Sequence, residues 1–241
     1  MELIVAPTAP LLYAELASRL STVMRTPGLQ LGLATGTTMA PLYQAVVKLH
    51  GELRPAASFW MLDEYLGLAV DDPRSYRSFL HRHLLSHFPL EKNQLEFPAL
   101  ERLAPAAAAR DYDERLSSAG GLGVQLLGIG MNGHVGLNEP GSLPASRTRV
   151  VDIAESTRVS NQHEFGELEL VPTQALTLGL ANLLEAKELW LIAVGERKAK
   201  IVAQALEGRE STQVPASLLR AHPGLQVFLD AAAAGELTAS R

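Results

Sequence analysis

No cysteine occurs in the 241 residues. That excludes disulfides, thiolate metal sites and a cysteine nucleophile. It fits a cytoplasmic protein, and that location is expected. There is no basic run either: 21 Lys and Arg stand against 26 Asp and Glu, a formal charge of −5. Such a balance argues against nucleic acid or an anionic membrane as partner. No apolar stretch approaches the roughly 20 residues that span a bilayer, and the N-terminus carries no charged-then-apolar signal segment. Internal repeats, low-complexity linkers, a Walker loop and a nucleophilic serine elbow are also missing.

What is present is 47% hydrophobic residues, an ordinary share for a soluble domain, in a chain long enough to bury a sizeable core. A single domain over residues 1–241 is expected. Apolar, β-prone runs at Glu2–Ala6, 29–34, 59–62, 124–128, 149–153, 189–194 and 225–229 read as strands, with a short one near 95–97. Between them lie helical patterns: 8–24 with Thr8 as cap and Pro10 in the first turn, one from Met39 with Leu42, Tyr43, Val46 and Val47 on its apolar face, 74–87, Pro105–Ser118, a Leu-rich 173–186 and 198–207. A short helix is expected at 214–220. The alternation predicts an α/β fold with a doubly wound, mostly parallel sheet and helices on both faces, Rossmann-like in build. Residues 154–171 are polar and acidic without strong periodicity, which suits a lid or binding loop.

The chain is organised around Val124-Gln-Leu-Leu-Gly-Ile-Gly-Met-Asn-Gly-His-Val-Gly-Leu-Asn-Glu-Pro140. Its first half is a buried strand. Its second half breaks regular structure and carries Asn132, His134 and Glu139. Gly128-Ile-Gly-Met-Asn-Gly133, with Asp152 downstream, matches the spacing of a dinucleotide fingerprint. That fingerprint needs a helix to start at the glycines, and Gly136, Pro140, Gly141 and Pro144 leave no room for one.

In an open α/β sheet, ligands bind beyond the carboxyl ends of the strands. Polar residues gather at five such places. Thr35-Gly-Thr-Thr38 leads into a helix; it is either an anion cradle of free N–H groups, helix dipole and hydroxyls, or a plain cap. Asp63 and Glu64 end another strand, either as a solvated turn or as acids in the crevice; no helix start lies near enough for either to cap. The others are the Asn132–Glu139 loop, the stretch with Thr157, Arg158, Asn161 and His163, and Lys198 near a late helix start. His83 and His87 are four apart, a metal-capable spacing, but they share an apolar face and read as packed histidines. Together the clusters suit a small sugar phosphate, with a carboxylate to move a proton α to a carbonyl and an imidazole to open a hemiacetal ring.

Leu31-Gly-Leu-Ala-Thr-Gly-Thr-Thr38, Leu62-Asp-Glu-Tyr-Leu-Gly-Leu68, the Gly128–Pro140 loop, Ser146-Arg-Thr-Arg149, Ala175-Leu-Thr-Leu-Gly179 and Gly195-Glu-Arg-Lys-Ala199 are similar, in order and over nearly the whole chain, to the glucosamine-6-phosphate deaminase family. The resemblance implies conversion of glucosamine 6-phosphate and water to fructose 6-phosphate and ammonia, without cofactor or metal. It implies that His134 opens the ring with Glu139 and Asn132 behind it, and that Asp63 carries the proton from C2 to C1. Gly36, Thr37, Thr38 and Lys198 would hold the phosphate.

Three positions depart from the family pattern. Asn132 stands where some members have Asp. His163 stands where many have a phosphate-binding Arg, which calls for a pH-dependent contact or a substitute cation such as Arg158. Val151 stands where regulated hexamers carry Lys, so a monomer or small homo-oligomer is expected. Two rivals share the architecture. A 6-phosphogluconolactonase would have Asp-Glu-Arg in place of Asp63-Glu64-Tyr65. A sugar-responsive effector domain would carry a DNA-binding module for which no room is expected before residue 2.

Overall fold

A computed structural model of the chain describes residues 1–238. In chain order the strands are β1 (Glu2–Ala6), β2 (Gln30–Leu33), β3 (Ser58–Met61), β4 (Asp63–Tyr65), β5 (Leu95–Glu96), β6 (Val124–Gly128), β7 (Arg149–Asp152), β8 (Gln174–Thr177), β9 (Glu188–Ala193) and β10 (Leu225–Asp230). The helices are α1 (Ala9–Met24), α2 (Met39–His50), α3 (Tyr76–His83), α4 (Pro105–Ser118), α5 (Glu155–Asn161), α6 (Leu180–Leu184) and α7 (Ala199–Glu207). Among the described residues the main sheet has seven strands in the order β1-β10-β9-β6-β2-β3-β5, all pairs parallel. Leu31, Leu33, Leu126, Leu127, Leu191 and Ile192 are fully buried at its centre, as strands covered on both faces require.

The topology decides where a ligand can go. From β2 the chain winds outward through β3 to β5; from β6 it winds the other way through β9 to β10. β2 and β6 are therefore neighbours whose onward connections part, and a crevice opens past their carboxyl ends. The middle four strands, β9-β6-β2-β3, end at Ala193, Gly128, Leu33 and Met61. Beyond those ends follow Lys198, the His134 loop, the Thr35–Thr38 turn and Asp63.

A second sheet, β4-β8-β7, is antiparallel and was not expected. Residues 173–186 are not one helix: 174–177 is β8, and α6 begins only at Leu180. The leucines mislead because Leu176, Leu178 and Leu180 alternate as a strand does, while Leu180, Leu183 and Leu184 repeat as a helix does. Pairing with β4 and β7 outweighs local helix propensity. Gly179 marks the switch, since a Cβ there would run into the carbonyls of Ser146 and Arg147.

Residues 74–87 are interrupted too. α3 ends at His83, and Leu84 adopts φ −140°, ψ −63° before a 3₁₀ turn over Leu85–His87. His83 and His87 thus lie on different helices. The first packs on Phe79 at 4.4 Å, and the second bonds the Arg82 carbonyl at 3.1 Å. Thr8 precedes α1 as expected, with Pro10 in the first turn, but its hydroxyl makes no cap bond. Residues 154–171 are largely helical, with α5 followed by 3₁₀ turns at Gln162–Glu164 and Leu168–Leu170.

The two sheets are fastened through Asn138. It is fully buried and donates to the carbonyls of Val135 and Leu178, at 3.1 and 2.9 Å, while its own carbonyl accepts from Arg149 at 2.9 Å. Asn138→Ala removes three hydrogen bonds at a fully buried position, although each partner keeps another bond. Urea unfolding should show a loss of about 2–4 kcal/mol; a loss below about 1 kcal/mol would mean that the link is dispensable.

Candidate active site

The concavity beyond the carboxyl ends of the strands has a volume of about 400 Å³, within the range of small-ligand sites. It is lined by Gly36, Thr37, Thr38, Asp63, Asn132, His134, His163 and Lys198, residues drawn from five segments far apart in sequence. Glu139 lies behind the imidazole rather than on the wall. Every site residue expected from the sequence is therefore brought to one cavity or to its backing. Arg158 is not: its guanidinium donates to the carbonyls of Leu168 and Val171, at 2.8 and 3.2 Å, and ties the 154–171 segment together. It cannot substitute for a phosphate-binding arginine.

The imidazole is held by its loop. The Gly130 amide donates to the His134 carbonyl at 2.9 Å, and the His134 amide donates to Asn132 Oδ1 at 3.2 Å. The ring lies against Gly130, where any Cβ would collide with it. His134 Nδ1 is 3.4 Å from Glu139 Oε2 and 3.4 Å from the Thr157 hydroxyl. Asn132 Nδ2 donates to the same Glu139 oxygen at 2.7 Å. Glu139 is thus pulled two ways: burial raises its pKa, and the bonds and charge from His134, Thr157 and Asn132 lower it. The lowering prevails, to about 2, so it is a carboxylate at any working pH. A carboxylate on Nδ1 selects the tautomer with a free lone pair on Nε2, and Nε2 has no partner among the described residues. Asn132 thereby fixes the position of the Glu139 carboxylate. The Thr157 contact, reaching across 23 residues of sequence, had no signal in the pattern beyond membership of the polar stretch.

Asp63 opens β4, buried, with its carboxyl group facing the cavity and no hydrogen bond to any described residue. Burial, then the adjacent Glu64 charge, pushes its pKa up to about 8. Glu64 does have a capping task, contrary to expectation. It accepts from the amides of Tyr65 and Tyr76 at 2.8 and 3.0 Å and of Arg77 at 2.9 Å, so it caps α3 from a different segment. The separation of 12 residues hid this.

At the far side, Gly36 takes φ +96°, which only glycine adopts freely, and turns the chain into α2. The amides of Gly36, Thr37 and Thr38 have no acceptor among the described residues and stand at a helix N-terminus, ready for an anion. Lys198 reaches the same cavity by donating to the Ile129 carbonyl at 2.7 Å. Burial, then Arg197, lowers its pKa. The turn that carries it is fixed by Asp230, which accepts from the Gly195 amide at 3.0 Å. His163 sits on the rim with its side chain 60% exposed, Nδ1 donating to the Ser160 carbonyl at 2.9 Å. Asn161 lines the wall as its polar stretch suggested, while Tyr76, Ser160 and Glu164 also line it without a signal in the sequence pattern.

Residues 8–228 match the family model described as glucosamine-6-phosphate isomerases/6-phosphogluconolactonase. The chain belongs to that family. A glucosamine-6-phosphate deaminase of Streptomyces avermitilis is 41% identical over 98% of this chain and 93% of its own length. A solved monomeric glucosamine-6-phosphate deaminase superposes with a TM-score of 0.94 at 35% identity, covering 98% of this chain and all of that one. The 6-phosphogluconolactonase of Trypanosoma brucei, at 22% identity and a TM-score of 0.78 over 98% of each chain, shares the fold.

The close seat of His134 on Gly130 yields a test of geometry. Gly130→Ala should displace the ring by about an ångström and lower kcat roughly 100-fold, with the melting temperature little changed. An unaltered kcat would mean that the ring's position is not set by this contact.

Proposed function

We propose that the chain converts D-glucosamine 6-phosphate and water to D-fructose 6-phosphate and ammonia, with no cofactor, and that residues 1–241 form a single domain in which 154–171 acts as the lid. The observation that carries the reading is the pairing, in one cavity, of an unpartnered buried carboxyl at Asp63 with a carboxylate-backed imidazole at His134. The naming of relatives as glucosamine-6-phosphate deaminases supports it.

The chemistry follows from the groups. His134 Nε2 takes the proton of the anomeric hydroxyl and delivers it to the ring oxygen, leaving an open-chain aldehyde. The Glu139 carboxylate stabilises the imidazolium formed on the way. Asp63 removes the proton at C2, now acidified by the carbonyl, and returns it to C1, while a proton of the C2 ammonium passes to the C1 oxygen. The nitrogen on C2 is then an iminium, which water hydrolyses to the ketone, releasing ammonia. Asp63 must be ionised for its step. The substrate's ammonium group supplies the missing counter-charge and favours that form. Gly36, Thr37, Thr38 and Lys198 hold the phosphate, with His163 at its edge. The site works as a monomer or small homo-oligomer, in keeping with the monomeric relative. Among the described residues no helix is long and apolar enough to cross a membrane, and a cytoplasmic location fits the absence of cysteine.

The direct test is ammonia release from glucosamine 6-phosphate beside hydrolysis of 6-phosphogluconolactone; lactone hydrolysis without ammonia would overturn the reading. For the base, kcat/KM should rise with pH along a limb near the Asp63 value of about 8. Asp63→Asn should lower kcat roughly 10³-fold while substrate still binds; turnover at the wild-type rate would remove Asp63 from the mechanism. His163→Arg adds a permanent cation at the rim and should lower KM roughly five- to tenfold. If KM stays put, that residue does not meet the phosphate.

A further inference from the structure

Glu64 is 8% exposed, faces away from the cavity and takes no part in the steps above. Its two oxygens nevertheless join the walls of the site. Through Tyr65 it holds the strand that begins with Asp63, and through the amides of Tyr76 and Arg77 it holds the first turn of α3. α3 in turn puts Tyr76 on the cavity wall, and its ring packs against the buried Tyr65 at a tilt of 36° with centroids 4.4 Å apart. Asn161 of α5 donates to the Tyr65 hydroxyl at 2.8 Å and reaches the Tyr76 hydroxyl at 3.5 Å. One carboxylate therefore stands at the root of a chain that runs from the base, through two tyrosines, to the helix covering the cavity. α3 has a cap of its own in Ser75, whose Oγ accepts from the Ser78 amide at 3.0 Å. The helix start does not need Glu64 for its existence, only for its attachment to β4.

We propose that Glu64 is a positioning residue of the proton-transfer step, fixing Asp63 and Tyr76 relative to each other across the cavity and supplying the anion that adjoins the base. The proposal rests on the deaminase reading and deepens it. The groups around Asp63 are Glu64 and Tyr65 on β4, Tyr76 on α3 and Tyr112 on α4. His134, Glu164 and Lys198 line the same cavity. Among the groups that act on Asp63 itself, the adjoining acid is Glu64; burial raises its own pKa, and the three amides and Arg77 pull it back towards the anion. A like charge next to an acid disfavours its ionised form. Neutralising Glu64 should therefore let Asp63 ionise at lower pH and make it a weaker base.

Two variants separate charge from reach. Glu64→Gln keeps one acceptor oxygen and removes the charge: the acid limb of kcat/KM should move down by about one pH unit. Glu64→Asp keeps the charge but falls a methylene short of α3: the limb should stay within half a unit of wild type while KM rises roughly tenfold. An unmoved limb in the first, or a wild-type KM in the second, overturns the proposal. A helix cap and nothing more would lower only the melting temperature. Should Glu64→Gln not fold, the KM of Glu64→Asp decides alone. Ammonia release by the unaltered enzyme tests the deaminase reading separately, so the two failures cannot be confused.

Discussion

A carboxyl group kept out of water with no cation beside it is the constraint on which the rest of the site depends. Burying a charge without a partner is costly, and the group answers by holding its proton. Asp63 does so up to about pH 8, and a second acid on the next residue strengthens the effect. The folded chain therefore binds a proton here that the unfolded chain has lost, from the ordinary carboxylate range up to about 8. Across that window stability falls as pH rises. The fold carries this burden at the point where a basic carboxylate is useful, as strained or destabilised groups at active sites commonly are.

The opposite treatment is given to Glu139. It is also largely buried, but two donors and an imidazole converge on it and keep it ionised. Two acids near one cavity are thus pushed in opposite directions, one towards holding its proton, as the proposed base would, the other towards permanent negative charge behind a histidine. Separated environments of this kind are how a single site performs both acid and base chemistry near neutrality. The second sheet makes the separation possible: β4 takes Asp63 out of the main sheet and pairs it with Thr177 of β8, while Asn138 ties the Glu139 loop to the Leu178 carbonyl just past β8.

Much of this arrangement was legible in the chain. The apolar runs at β2, β6, β9 and β10 are nearly continuous because those strands are covered on both faces, and such runs announce themselves. The loop after β6 was legible for the opposite reason: Gly130, Gly133, Gly136 and Pro140 exclude helix, so His134 and Glu139 had to be in irregular structure at a strand end. The Gly36–Thr38 turn and Lys198 were likewise legible as polar groups at strand ends, though the turn alone read equally as a cradle or a cap. What could not be read were contacts between segments. Glu64 looked like a spare acid because the amides it caps lie 12 and 13 residues on. Arg158 looked like a free cation because the carbonyls that claim it are invisible in a pattern of side chains.

The sequence by itself determined the parallel α/β architecture, the family and the identity of the residues at the strand ends, because periodicity and the backbone demands of glycine and proline act over a few residues and leave a local imprint. Only the tertiary structure decided that 174–177 is a strand, that Glu64 caps α3 and that Thr157 touches His134. Each of these depends on a partner brought close by the winding of the chain, and hydrogen bonding at 3 Å has no counterpart in the order of residues.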